Sequence, residues 1–126
     1  MRIIGGIFKG RKLFLPIDKK TRPLKDLAKE AIFNLINHSN KINCKIENSI
    51  ILDLFAGTGS FGIECLSRKA LKVIFFENYI EALKILEKNL NSLKNIKNYE
   101  VVQNDCFDLL KYEKIKLKFN IIFIDP

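Results

Sequence analysis

Apolar positions alternate along this chain between helical stripes and short continuous runs. Leu24, Leu27, Ala28, Ala31, Ile32, Leu35 and Ile36 recur at i, i+3, i+4, i+7, i+8, i+11 and i+12. That spacing predicts an amphipathic helix whose stripe packs on a sheet. The unbroken run over residues 50–55 predicts a strand, residues 61–68 a helix with Ile63 and Leu66 inward, and residues 72–77 a second strand. A second clear stripe, Ile80, Leu83, Leu86, Leu90 and Leu93, predicts a helix over 79–93. Residues 99–103 predict a third strand, 107–112 a short helical turn, and 119–124 a fourth strand, apolar on both faces as a central parallel strand is. At the front, residues 2–8 and 11–15 predict a hairpin turning at Lys9-Gly10, followed by a basic linker to Pro23. Residues 37–49 are polar and predict a loop.

Strands alternating with helices predict an α/β fold, a doubly wound and mostly parallel sheet, with strand order 3-2-1-4-5 assumed. Residues 24–126 form one such domain, and residues 1–23 a basic hairpin and linker ahead of it. The fourth strand is followed by only two residues, Asp125-Pro126, which leaves its outer edge unpaired. The chain is therefore expected to be a truncated form of a longer fold.

Composition narrows the class. With 126 residues, 48% of them hydrophobic, the chain is long enough to bury one core. No apolar run approaches the length of a membrane span, and the N-terminus has no signal-peptide layout. Cys44, Cys65 and Cys106 lack metal or disulfide spacing and read as reduced thiols of a cytosolic protein. With His38 as its single histidine, the chain has no Ser–His–Asp triad or His-rich metal site in prospect. Residues 1–25 hold eight basic side chains against Asp18 alone, a net +7, whereas the rest of the chain is nearly neutral. Clustered Lys and Arg suit a polyanion, because they release counterions from a phosphate backbone. Arg2, Lys9, Arg11, Lys12 and Arg22 are the candidate contacts. The plainer alternative is a solubilising, lysine-rich surface.

The chemistry gathers at the carboxyl ends of the strands, where ligands of open α/β sheets lie. Asp53 is followed by Leu-Phe55-Ala56-Gly57-Thr58-Gly59-Ser-Phe-Gly62, a glycine-rich turn opening a helix. Such a turn admits a nucleotide and offers unpaired helix N–H groups. The G-x-G-x-x-G pattern alone fits NAD equally well. Asp53 discriminates: it repels a pyrophosphate and welcomes an ammonium or sulfonium, favouring S-adenosylmethionine. Glu77, with Asn78 beside it, lies 24 residues beyond Asp53, placed to accept both ribose hydroxyls. Asp105 can accept the adenine amine while the Cys106 N–H donates to the ring, and Phe107 either packs on adenine or joins the core. Asp125-Pro126 falls where a methyl acceptor would sit.

These blocks resemble the RsmD-like methyltransferases. The stretch Asp53-Leu-Phe-Ala-Gly-Thr-Gly-Ser-Phe-Gly-Ile-Glu-Cys-Leu-Ser-Arg68 is similar to the first motif of that family. Arg2-Ile-Ile-Gly-Gly and Lys9-Gly-Arg-Lys-Leu13 look like its opening hairpin, and Arg22-Pro23 with Lys29-Glu-Ala-Ile-Phe-Asn34 like its next block. Asn104-Asp105 and the start of an Asp-Pro-Pro-Phe/Tyr motif at Asp125-Pro126 complete the likeness. Leu24 stands where the family usually has Thr. The resemblance implies a Rossmann-like class I fold, S-adenosylmethionine as cofactor and methylation of a guanine N2 amine in small-subunit (16S) ribosomal RNA. It implies Asp125 and Pro126 as catalytic residues, and ribosomal RNA or an assembling small subunit as partner to the basic arm. It also implies a cytosolic monomer without metal. Because the Asp-Pro-Pro-Phe/Tyr motif is cut after two residues, the 126-residue form is expected to bind cofactor weakly and turn over negligibly. A DNA adenine-N6 methyltransferase, a nicotinamide-dependent oxidoreductase and an inactive cofactor- or RNA-binding remnant are the other readings.

Overall fold

A computed structural model describes residues 1–18, 24–105, 107 and 118–126. Four parallel strands form the sheet: β1 (Ile50–Asp53), β2 (Lys72–Phe76), β3 (Tyr99–Val102) and β4 (Ile121–Phe123). Their order is β3-β2-β1-β4, which matches the first four strands of a 3-2-1-4-5 doubly wound sheet. In register, Asp53 sits opposite Phe75 on one side and Phe123 on the other. Among the described residues three helices accompany them, α1 (Asp26–His38) ahead of β1, α2 (Ser60–Ser67) between β1 and β2, and α3 (Ile80–Asn91) between β2 and β3.

Alternate residues of each strand face opposite sides. Ile51, Val73 and Phe75 meet Phe33 of α1, Phe61 and Leu66 of α2, and Leu83, Leu86 and Leu90 of α3 in the main core. Leu52, Ile74, Phe76 and Val102 form a smaller cluster on the other side, with Leu54 and Phe119 against it. Phe123 of β4 stacks flat on Phe61, ring centroids 3.8 Å apart. All eight residues of α2 are buried, so the helix after the glycine turn is the centre of the molecule. Gly62 lets it approach the sheet: a Cβ there would lie 2.2 Å from the Phe75 ring.

The N-terminal pairing is shorter than two strands. A single antiparallel bridge joins Arg2 to Lys12, with Ile3 N–H donating to Arg11 O and Leu13 N–H to Met1 O. The chain leaves the ladder after Ile3 where amides find partners on α2 instead: Ile4 and Gly5 donate to Glu64, Ile7 to Ser67 O and Phe8 to Ser67 Oγ. Gly6 makes this contact at φ +80°, where a Cβ would stand 2.0 Å from Ser67 O. Ile3 and Leu13 reach into the main core.

The expected face of α1 is corrected. Leu27 is 80% exposed and Leu35 59%, and Ala28 and Ala31 also face outward. Lys29 and Phe33 are buried instead, with Ile32 and Ile36 beside them. The helix is turned by roughly a third of a revolution from the apolar stripe, at 100° per residue. A buried ion pair, described below, outweighs the stripe. On α3, Ile80 is likewise exposed, whereas Asn89 is fully buried. β4 lies at the edge of the described sheet, with Ile122, and Ile124 just beyond the strand, more than half exposed. The expected helical turn lies outside the described residues apart from Phe107, which is 82% exposed and so not in the core. Among the described residues no helix is long and apolar enough to cross a membrane.

Candidate functional site

β1 ends at Asp53, and the chain turns through residues 54–59 into α2. The turn is pinned at successive points: Leu54 N–H donates to Phe123 O, Ala56 N–H to Phe76 O, and Gly59 N–H to Ala56 O. Gly57 and Gly59 both have positive φ, 56° and 91°. Gly59 is the N-cap of α2, and a Cβ there would stand 2.4 Å from Leu86 Cδ1. Backbone conformation and space both therefore require glycine at this position. Phe55 and Gly57 are half-buried, Ala56 and Thr58 buried.

Asp53 lies beneath this turn, 1% exposed, and neither of its carboxylate oxygens has a hydrogen-bond partner. Burial pushes its pKa up to about 7; Glu77 and Asp125 add to the rise, and the amides of Gly62 and Phe55 oppose it. An orphaned buried carboxylate costs several kcal/mol, so its persistence in a fold calls for a ligand or a proton. A group carrying a positive charge fits there.

Glu77 follows β2 and is half-buried. One oxygen accepts the Gly57 N–H at 2.7 Å and the other the Tyr79 N–H at 3.0 Å. It thus braces the glycine turn from the neighbouring strand and retains lone pairs for a further donor. Asn78 beside it is exposed. Asp105 is exposed beyond β3 and accepts the Phe107 N–H at 3.0 Å. Asp125 and Pro126 are exposed beyond β4. Glu77 and Asp125 are close enough to act on the Asp53 carboxylate. Cys106 and Arg22 lie outside the described residues. Among the described residues, no group of His, Cys, Asp and Glu is placed to hold a metal ion.

The basic candidates differ among themselves. Arg2 approaches Asp26 at 3.9 Å, and Arg11 packs over Phe8 and donates to Ser92 O. Lys9 and Lys12 are exposed.

Sequence reasoning missed a buried polar cluster one helical turn below the glycine loop. Lys29 Nζ lies 3.4 Å from Glu64 Oε1 and donates to Ser60 Oγ and Arg2 O. Glu64 also accepts from the amides of Ile4 and Gly5 and from Arg68 Nε. Burial lowers the pKa of the Lys29 ammonium, and Glu64 opposes that shift. Hydrophobic periodicity treats Lys and Glu as solvent-facing and carries no trace of the pair. Asn89 was more legible, since it interrupts an apolar face three residues after Leu86.

Residues 1–126 match the family model described as Conserved hypothetical protein 95. Ribosomal RNA small subunit methyltransferase D of Haemophilus influenzae is 38% identical over all of this chain and 63% of its own length. The protein of that name from Escherichia coli is 36% identical, again over all of this chain and 59% of its own length. The chain therefore spans about three-fifths of the length of these curated relatives. The solved structure of yhhF from Escherichia coli superimposes with a TM-score of 0.81 at 36% identity, covering 100% of this chain and 64% of that one. SMU.776, solved as a complex with SAH, is 25% identical with a TM-score of 0.60, covering 77% of this chain and 24% of that one. These findings agree with the Rossmann-like fold and with the resemblance read from the residues.

Proposed function

The chain belongs to the Conserved hypothetical protein 95 family, and from that membership we propose that it carries the cofactor site of an S-adenosylmethionine-dependent methyltransferase acting on the N2 amine of a guanine in small-subunit ribosomal RNA. One observation carries the cofactor assignment: Asp53 is buried, unpartnered and directly beneath a glycine turn. The names of the relatives supply the substrate class.

When bound, the cofactor supplies an electrophilic methyl group. Asp53 would hold its amino group, exchanging an orphaned carboxylate for an ion pair in a water-poor site. The turn at Phe55, Ala56, Gly57, Thr58 and Gly59 would let backbone approach the ligand. Glu77 and Asn78 would take the ribose, and Asp105 and Cys106 the adenine. Asp125 would accept hydrogen bonds from the guanine amine, and the Pro126 carbonyl would orient its lone pair. Most of the acceleration in such a site comes from positioning, worth up to ~7–11 kcal/mol. Arg2, Lys9, Arg11, Lys12 and Arg22 would hold the RNA in the cytosol, with affinity falling by about 0.7–0.9 log units per contact for each log unit of salt. Lys9 and Lys12 are the cleanest probes of that role, since both side chains are exposed.

Titration of the 126-residue chain followed by amide NMR tests the cofactor site. S-adenosylmethionine is expected to move the Gly57 and Gly59 resonances, NAD to leave them in place, and Asp53→Asn to weaken binding about 30-fold or more, the range for unpairing a buried charge. Affinity should fall as pH drops through about 7, because Asp53 then takes up a proton and loses the charge the ammonium needs. NAD binding in preference, or S-adenosylmethionine affinity indifferent to Asp53→Asn, would overturn the assignment.

A further inference from the structure

Residues 11–18 run as a strap along α3, antiparallel to it. Arg11 Nη1 donates to Ser92 O at 3.1 Å just past the helix end. Phe14 sits under Lys88, the ammonium 4.0 Å from the ring centroid. Tyr79 at the helix start donates its hydroxyl to Asp18 Oδ2 at 2.8 Å. The strap thus ends beside Glu77, which braces the glycine turn through Gly57.

Between these ends lies Asn89, fully buried in α3. Its Oδ1 accepts the Phe14 N–H at 2.7 Å, while Nδ2 donates to Thr58 O at 2.9 Å and Phe14 O at 3.3 Å. A side-chain amide has two donor hydrogens and one carbonyl, and here all are engaged. The Phe14 amide fixes which way the group points, so the Thr58 carbonyl receives its bond only in that orientation. One side chain therefore joins the strap that carries Arg11 and Lys12 to the loop on which the cofactor would rest.

We propose that Asn89 is a positioning residue through which docking of residues 11–18 sets the Thr58 segment of the glycine loop, so that RNA on the basic strap and cofactor in the loop favour each other's binding. This rests on the cofactor and RNA reading above. Thermodynamic linkage makes the effect reciprocal: whatever factor RNA adds to cofactor affinity, cofactor adds to RNA affinity.

The test titrates the whole chain with S-adenosylmethionine, with and without a saturating single-stranded RNA oligonucleotide of mixed sequence, again by amide NMR. In the unaltered protein RNA should tighten cofactor binding by about fivefold or more, the usual lower range of coupling between sites. Asn89→Asp keeps the acceptor for Phe14 N–H but turns a carboxylate toward two carbonyls, and should bring the factor to one. Tyr79→Phe removes only the hydroxyl that holds Asp18 and should at least halve it, which keeps the question open to decision if Asn89→Asp does not fold. Loss of stability alone would weaken each ligand without changing their ratio. Two ligands that bind independently in the unaltered protein, or an unchanged factor in the folded variants, would overturn this inference and leave the cofactor reading intact. No binding of S-adenosylmethionine, or none of RNA, would overturn the reading beneath it and this inference together.

Discussion

Asp53 and Glu64 are buried to the same degree on adjoining elements, and their surroundings are opposite. Glu64 has an ammonium, a guanidinium and two backbone amides around it. Asp53 has no partner within hydrogen-bond geometry, only the amides of Gly62 and Phe55 nearby. Burial alone therefore says little about what a carboxylate does. A buried charge with every lone pair engaged is part of the scaffold; one left orphaned beneath a glycine turn is kept for something absent from the polypeptide itself. The scaffold carboxylate fastens the N-terminal segment to α2, and α2 begins at the loop over Asp53, so the one supports the other.

Breaking the satisfied side should have the largest effect. Lys29→Met leaves Glu64 buried without its ammonium and should cost about 3–5 kcal/mol in urea unfolding, with part regained in the double variant carrying Glu64→Gln. A single cost no larger than that of an exposed ion pair would end the distinction. Gly6→Ala attacks the same clasp through the backbone, since its Cβ would meet Ser67 O at φ +80°. It should cost about 3 kcal/mol, left-handed strain and overpacking together. Gly10→Ala, at φ +89° with nothing within 4 Å, carries the strain alone and should cost only about 1–2 kcal/mol.

The orphaned side should respond with the opposite sign. The folded-state pKa of Asp53, about 7, lies above its ordinary value of 3.8, so the folded protein binds the extra proton between those values. Stability is then lost as pH rises through that window and is flat above it. Asp53→Asn removes the charge at the cost of a buried amide, and should stabilise the unliganded chain by roughly 2 kcal/mol at pH 8 while gaining nothing near pH 4. Thermal melts of both proteins across pH 4–8 read this directly. A destabilised Asn variant at pH 8 would mean that the carboxylate already has a partner in solution.

Much of the site was legible in linear order. A strand, a carboxylate, a glycine turn and a helix are consecutive, and the physics joining them is local: Gly59 can take φ +91° without a steric penalty, and the carboxyl ends of parallel strands share one edge. The face of α1 was not legible. Leu27 and Leu35 make the better stripe, yet Lys29 turns inward because Glu64, thirty-five residues later, meets it there. A charge pair formed between distant segments overrides periodicity, and no window along the sequence contains both partners.

The sequence by itself determined the alternation of strands and helices, the glycine turn and which acids stand at strand ends, because each follows from near-neighbour chemistry. Only the tertiary structure decided which of those acids is left without a partner. It alone decided that the basic N-terminal segment is bonded to the loop through Asn89. Hydrogen-bond satisfaction is a property of three-dimensional neighbours, and a carboxylate reads the same in sequence whether it is fully bonded or bare.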